Sequence, residues 1–323
     1  MRMRTLRRVA FAAVAIVASV SAPVPGRAAD IVIGVANWPS AIATAHLLKA
    51  LVETKLGKTA TLEEASLPEL FAAADAGTVD ILPEVWLPNY RAQVRSYVDK
   101  EHSVVLAPRG IPARQGLCTT KVAAEEYDLH SVEDLTKPET AGLLDTDQDG
   151  RGEIWIGADG WNSTNVERIR AKSYGYDKTM TLISADEPVA MAGLDVAVAL
   201  GEPIVFYCYE PHHMFALHDL VMLEEPPHDP TKWVIRTPED TPDWLEQSTA
   251  ATAWPVSFIH TAYRSGFDDD APEVVALLSN LDLEADAISD MTYALIVERR
   301  DPDAYAAEWI EANPDRVARW LAE

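Results

Sequence analysis

Within the first hundred residues, short apolar runs alternate with stretches of helical spacing. That alternation constrains the fold more than any other feature of the chain. Residues 30–36 (Asp-Ile-Val-Ile-Gly-Val-Ala) form an apolar run of strand length, and residues 41–55 follow with Leu47, Leu48 and Leu51 on one helical face. A second strand is expected at 59–63, a helix at 66–76 that Ser66 can cap, a third strand at 79–85 and a helix at 92–99. Strands separated in this way pair through crossovers rather than hairpins, so the pattern predicts a mostly parallel sheet covered by helices. Further along, residues 142–160 are a Gly- and Asp-rich interruption. Helices are expected at 165–174 and 188–200, a strand at 203–209, mainly loop over 224–243, and an almost wholly helical end from 271 to 323.

Four aromatic segments stand where those elements end: Asn37-Trp38-Pro39-Ser40, Glu84-Val85-Trp86-Leu87-Pro88-Asn89-Tyr90, Gly160-Trp161-Asn162-Ser163-Thr164 and Phe206-Tyr207-Cys208-Tyr209-Glu210-Pro211-His212. Pro, Gly and Asn beside each ring mark turns. Aromatics on loops held by a rigid scaffold are candidate ligand contacts, and open α/β sheets take ligands at the carboxyl ends of their strands. Several π-faces converging on one point make a cage for a quaternary ammonium group, which has no N–H to donate. Core packing is the alternative for any single Trp, and it accounts for Trp233, Trp244, Trp254, Trp309 and Trp320. The turn-flanked set of Trp38, Trp86 and Trp161, with Tyr209 balanced between the two, is read as a cage.

The N-terminal stretch sets the compartment. Arg2, Arg4, Arg7 and Arg8 precede a run from Val9 to Val20 of nearly unbroken Ala, Val, Ile and Phe; small residues at Gly26 and Ala28 then fit cleavage after Ala28. Residues 1–28 are therefore expected to be a secretory signal peptide, leaving a periplasmic chain with no span of its own. The formal charge is −24, and without the five arginines of residues 1–29 it is −29. Such an acidic surface repels nucleic acid and anionic lipid and argues against both as partners. The two cysteines, Cys118 and Cys208, are free to pair in an oxidising compartment, but two cysteines are no framework for 323 residues, and pairing stays open.

Taken in order, these motifs resemble one family. Asn37-Trp38 after the first strand, Asp80-Ile81-Leu82-Pro83-Glu84-Val85-Trp86-Leu87-Pro88, Gly160-Trp161, the run from Val205 through Glu210-Pro211-His212-His213-Met214-Phe215, and the end Tyr305-Ala306-Ala307-Glu308-Trp309-Ile310-Glu311-Ala312-Asn313-Pro314 with Trp320 are similar to those of periplasmic substrate-binding proteins of ABC transporters for glycine betaine, proline betaine, choline and related compounds. The resemblance implies an α/β, bilobal type II periplasmic binding protein fold: two mostly parallel sheets flanked by helices, with a hinge between lobes. The lobes would be residues 29–112 with 235–323, and 113–234. It also implies a receptor that binds a quaternary-ammonium or N-oxide compound and delivers it to an ABC transporter permease. Carried over by position, Trp38, Trp86 and Trp161 are box members. Tyr209 stands where a further aromatic is expected, and His213 stands where many betaine binders have another Trp. Asn162, Ser163 and Thr164 open a helix whose free N–H groups suit a carboxylate or N-oxide oxygen. Choline-binding relatives often carry an acid close after the first Trp. Here Pro39 and Ser40 follow, which weakens choline, although Glu84 is an acid expected near the cleft; a choline- or carnitine-type receptor of the same family is the alternative.

A second chemical signal is Asp145-Thr146-Asp147-Gln148-Asp149-Gly150-Arg151-Gly152-Glu153. Three acids at alternate positions before a Gly match the first half of a calcium loop; the Arg151 carbonyl and Glu153 would add oxygens, and Ile156 takes the place of the usual twelfth-position Glu. A structural calcium ion held by Asp145, Asp147, Asp149, Arg151 and Glu153 is expected, the alternative being a solvated acidic turn. Enzyme signatures are weak. There is no Gly-x-Ser-x-Gly elbow, P-loop or dinucleotide fingerprint, and His212-His213 lacks partners at zinc spacing. A secreted calcium-dependent hydrolase is the rival class, and it would need a pair of catalytic carboxylates that the many acids of this chain do not single out.

Overall fold

Strand β1 (Ile31–Val35) is buried at every position except Val32, as its unbroken apolar run requires. The computed structural model describes residues 31–322; the expected signal peptide lies outside them. The remaining strands are β2 (Ala60–Glu64), β3 (Ile81–Leu87), β4 (Val104–Thr120), β5 (Gly152–Trp155), β6 (Met180–Ile183), β7 (Val205–Glu210), β8 (Leu220–Met222), β9 (Trp233–Val234), β10 (Thr249–Ala250) and β11 (Ser257–Arg264). Among the described residues, nine of them form one continuous sheet in the order β2-β1-β3-β11-β4-β7-β5-β6, with β8 beside β4; β9 and β10 form a separate ribbon.

The crossover units predicted from periodicity are present. β1 pairs in parallel with β2 and β3, and β5 pairs in parallel with β6 and β7. The helix between β1 and β2, Pro39–Lys55, buries Leu47, Leu48 and Leu51 and packs on helices Ala285–Ile296 and Pro302–Ala312. Each of those leucines contributes roughly 1.5–3 kcal/mol by leaving water. Ser66 caps Leu67–Asp75 through a reciprocal capping box with Glu69. Trp309 and Trp320 stack with ring centroids 5.6 Å apart inside the core that the C-terminal helices form with β1, so both are packing residues.

β4 joins the two ends of the sheet. Its residues 104–113 pair antiparallel with β11, and residues 114–119 pair antiparallel with β7. Arg109-Gly110-Ile111-Pro112, beside the lobe boundary expected after residue 112, lies inside this unbroken 17-residue strand. Strand β5, between β7 and the edge strand β6, lies inside what reads as a Gly- and Asp-rich interruption. Cys118 of β4 and Cys208 of β7 form a disulfide, with Cα atoms 5.7 Å apart.

Residues 225–254 return along helix Asn162–Tyr174. The fully buried Arg170 guanidinium donates to the Thr252 carbonyl at 2.7 Å and to Glu225 at 2.5 Å, and Trp254 donates to Glu167 at 2.8 Å. Buried charges of this kind persist because they are paired. They fix the helix that carries Trp161 at its start.

Candidate ligand-binding site

The ends of β1, β3 and β7 and the start of helix Asn162–Tyr174 meet at one cavity. Trp38, Trp86, Asn89, Tyr90, Trp161, Ser163, Tyr207 and Tyr209 line it. Trp38 stands edge-on to Trp161 (centroids 6.2 Å, 88°), Trp161 to Tyr209 (6.0 Å, 79°) and Tyr209 to Trp86 (5.4 Å, 86°), while Tyr90 stacks on Trp38 at 6.4 Å. Edge-to-face contacts are the favourable geometry for quadrupolar rings. The lining carries no charged side chain. What its residues offer is π-faces, four hydroxyls (Tyr90, Ser163, Tyr207 and Tyr209) and one amide, that of Asn89.

Each ring is held from behind. β3 alternates sides, so Glu84 and Trp86 point the same way. The Glu84 carboxylate accepts from Trp38 Nε1 at 2.8 Å, Trp86 Nε1 at 3.2 Å, Ser40 Oγ at 2.8 Å and Thr44 Oγ1 at 3.0 Å. Ser40 and Thr44 are one helical turn apart, so they reach the same group. Burial pushes the Glu84 carboxyl above the usual carboxylate range against the pull of its four donors. Trp161 Nε1 donates to Asn37 Oδ1 at 3.0 Å. Tyr209 donates to Glu187 at 2.7 Å, and burial beside Glu187 raises its hydroxyl pKa well above normal.

The turn before Trp161 needs its glycines. Gly157 has φ +121°, and a Cβ there would lie 2.4 Å from Thr164 Oγ1; Gly160 has φ +84°. The Thr164 hydroxyl instead closes on the Ala158 carbonyl at 2.7 Å. The helix that follows starts at Asn162, three residues earlier than its periodicity suggests, which puts Ser163 in the first turn and on the cavity wall. Asn162 is not on the wall: its side-chain amide donates to the Asn89 carbonyl and to Gln93 Oε1, both at 3.2 Å.

His213 is not on the wall either. Met214 N donates to His212 Nδ1 at 3.0 Å, so His212 Nε2 carries the proton and donates to Glu187 at 2.9 Å. His213 stacks on His212 with centroids 4.2 Å apart, one layer back, and its Nδ1 has no partner among the described residues. Burial, with the adjacent His212, lowers its pKa to about 3. Asn89, Tyr90 and Tyr207 line the cavity without having been singled out from sequence. For Tyr207 a signal existed, because it stands two residues before Tyr209 on the same strand.

The acidic segment closes on itself away from this cavity. Asp145, Asp147, Asp149 and Glu153 each bring a carboxylate oxygen within 4.8 Å of the others. Asp145 accepts from the backbone N–H groups of Gln148, Asp149 and Gly150, and Glu153 Oε2 from Thr146 N and Oγ1.

A mixed sheet flanked by helices, with an aromatic cavity at its strand ends, is the architecture of a periplasmic binding protein. The fold is similar to that of an ABC-transporter choline-binding protein in complex with choline (TM-score 0.71, 21% identity, 90% of this chain and 91% of that one). It is also similar to lactococcal OpuAC in its closed-liganded conformation complexed with glycine betaine (TM-score 0.68, 20% identity, 91% and 99%). Residues 29–312 match the family described as the substrate-binding domain of the ABC-type glycine betaine transport system, and the chain belongs to that family. It is one of transport substrate-binding domains, not of enzymes. Relatives include a glycine betaine/proline betaine-binding periplasmic protein of Salmonella typhimurium, 22% identical over 65% of this chain, and a glycine betaine/carnitine transport binding protein of Listeria monocytogenes, 29% identical over 46%. The match spans just under two thirds (64%) of the Salmonella protein's length and 42% of the Listeria protein's. No helix among the described residues is long and apolar enough to cross a membrane.

Proposed function

We propose that this chain is a periplasmic solute receptor that binds one quaternary-ammonium or N-oxide molecule, of the glycine betaine, proline betaine or trimethylamine N-oxide class, and delivers it to an ABC importer. The observation that carries the reading is the run of four rings in successive contact, Trp38, Trp161, Tyr209 and Trp86, on the wall of one cavity lined by no charged side chain. A permanently methylated cation is recognised by such faces, and water is excluded from it there. The start of helix Asn162–Tyr174, with Ser163 on the wall, suits the anionic oxygen of the same ligand. Calorimetry with glycine betaine, proline betaine, trimethylamine N-oxide, choline and carnitine tests it. Saturable binding of a zwitterion or N-oxide at about one per chain, tighter than choline, is expected. No binding of any of the five sinks the receptor reading. A choline preference of tenfold or more, about 1.4 kcal/mol, moves it to a choline-type receptor.

The receptor closes on its ligand by hinging at β4, one lobe holding residues 31–113 and 257–322 and the other 114–254. Support comes from the change of β4's partner between Ala113 and Arg114, and from the bonds that tie Leu245, Ala250 and Thr252 to helix Asn162–Tyr174. Those bonds support a return crossing near 255 rather than the 235 expected from sequence. Small-angle scattering with and without saturating ligand should show contraction; identical profiles count against a hinge.

The Asp145–Glu153 segment holds a structural calcium ion in this reading. Glu153 Oε1 has no hydrogen-bond partner among the described residues, and the Arg151 side chain turns away to Thr181 and the carbonyls of Asp177 and Lys178, leaving the carboxylates without a protein cation.

A further inference from the structure

We propose that two buried carboxylates outside the cavity lining, Glu84 and Glu187, are positioning residues that give the aromatic cage its preference for a cationic head group over an uncharged one of the same shape. The inference rests on the cage reading above. Three of the four rings donate outward to these acids: Trp38 and Trp86 to Glu84, and Tyr209 to Glu187. Glu84 and Glu187 are 2% and 3% exposed, and no Lys or Arg forms an ion pair with either one among the described residues. A buried acid without a basic partner is costly, and a core serving only to pack would have no use for two. Each is instead kept by neutral donors. Glu84 has four of them and lies against the N-terminal turns of the 17-residue helix Pro39–Lys55, whose dipole favours negative charge there.

The physical consequence is directional. An N–H or O–H that donates to a carboxylate shifts electron density into its ring, and the ring's face becomes more negative. The carboxylates add their own field in a region with little water to screen it. A trimethylammonium group in the cage feels both terms, whereas a tert-butyl group of the same size feels only dispersion. Trp161 donates to the neutral Asn37 amide and is the ring without this backing.

The test uses glycine betaine and its carbon isostere 3,3-dimethylbutanoate, with choline and 3,3-dimethylbutan-1-ol as a second pair, titrated into wild type, Glu84→Gln and Glu187→Gln. Wild-type binding of none of the cations rejects the cage reading itself. If the cations bind, Glu84→Gln should weaken them at least tenfold while isostere affinity stays within about twofold, or becomes measurable where wild type shows none. Glu187→Gln should move the ratio in the same direction. Equal weakening of cation and isostere marks Glu84 as scaffold only, and unchanged cation affinity overturns the proposal outright. If Glu84→Gln gives no cooperative melting transition, Glu187→Gln carries the same ratio test alone.

Discussion

Asn89 and Gln115 exchange paired amide hydrogen bonds, 2.8 Å in each direction, between the end of β3 and the second half of β4. Gln115 also accepts from the Tyr207 hydroxyl at 2.7 Å and donates to Ser257 at 2.8 Å. One buried amide just past the crossing point therefore holds two cavity-lining residues on opposite sides of it. Gln115→Leu keeps the volume and strands the Asn89 amide and the Tyr207 hydroxyl. It should cost about 1–3 kcal/mol of stability and weaken ligand binding as well. Urea denaturation and calorimetry read the two effects; a variant that matches wild type in both rules out this role.

Trp38→Ala, Trp86→Ala and Trp161→Ala should each weaken binding of a trimethylammonium ligand by ~1–2 kcal/mol or more. Trp→Phe keeps a π-face and should cost less than Trp→Ala at each position. Trp38→Phe should still cost more than Trp161→Phe, because the lost N–H of Trp38 served a buried carboxylate and that of Trp161 an exposed amide. Wild-type affinity in all three alanine variants would reject the cage.

His213 sets an acid limit on stability. Its pKa falls from about 6.5 unfolded to about 3 folded, through burial first. A depressed pKa gives stability that is complete above 6.5 and is lost as pH falls towards 3, because only the unfolded chain takes up the proton. The loss should reach ~2–3 kcal/mol at pH 4.5. At that pH Asp134, held down to about 2 by Lys137 and backbone donors against its burial, is still ionised in the folded state and adds little. Urea midpoints at pH 7.5 and 4.5 should converge in His213→Phe relative to wild type; an unchanged gap excludes His213 as the cause.

Calcium should raise the melting temperature, and a chelator should lower it, since an ion that binds only the folded state stabilises it by about 2.7 kcal/mol at a hundredfold excess over its Kd. Asp147→Asn with Asp149→Asn should abolish the response and leave ligand binding at least partly intact, because the loop lies away from the cavity. A melting temperature and ligand affinity both indifferent to chelation leave only a solvated turn.

The Cys118–Cys208 disulfide closes a 90-residue loop. Replacing both by Ala should remove ~2–5 kcal/mol, measured by denaturant titration of the oxidised wild type against the double variant. Equal stabilities would show the bridge to be dispensable.

Local periodicity determined a good part of this protein. The apolar run of β1, the helices Pro39–Lys55 and Leu67–Asp75, the strand carrying Trp86 and the helical end all follow from spacings of a few residues, and the turn-forming neighbours of Trp38, Trp86, Trp161 and Tyr209 placed those rings at element ends. What sequence missed depends on partners far along the chain. β4 contains Pro108, Gly110 and Pro112 and reads as a loop; it is a strand because β11, some 150 residues later, and β7, about 90 residues later, supply its ladder. β5 is four residues long, too short for any period to declare itself. Glu84 stood out only as an acid near the cleft, and its four bonds exist because Trp38, 46 residues away, is carried to it by β1 packing beside β3. His213 was expected on the wall because of its position in the motif, but the short turn after β7 stacks it behind His212. A chain segment can announce its own conformation, because that depends on neighbours within a turn or two. Which faces meet, and which buried acid ends up behind which ring, is decided by long-range packing, where contacts are made only after the entropy of closing large loops has been overcome.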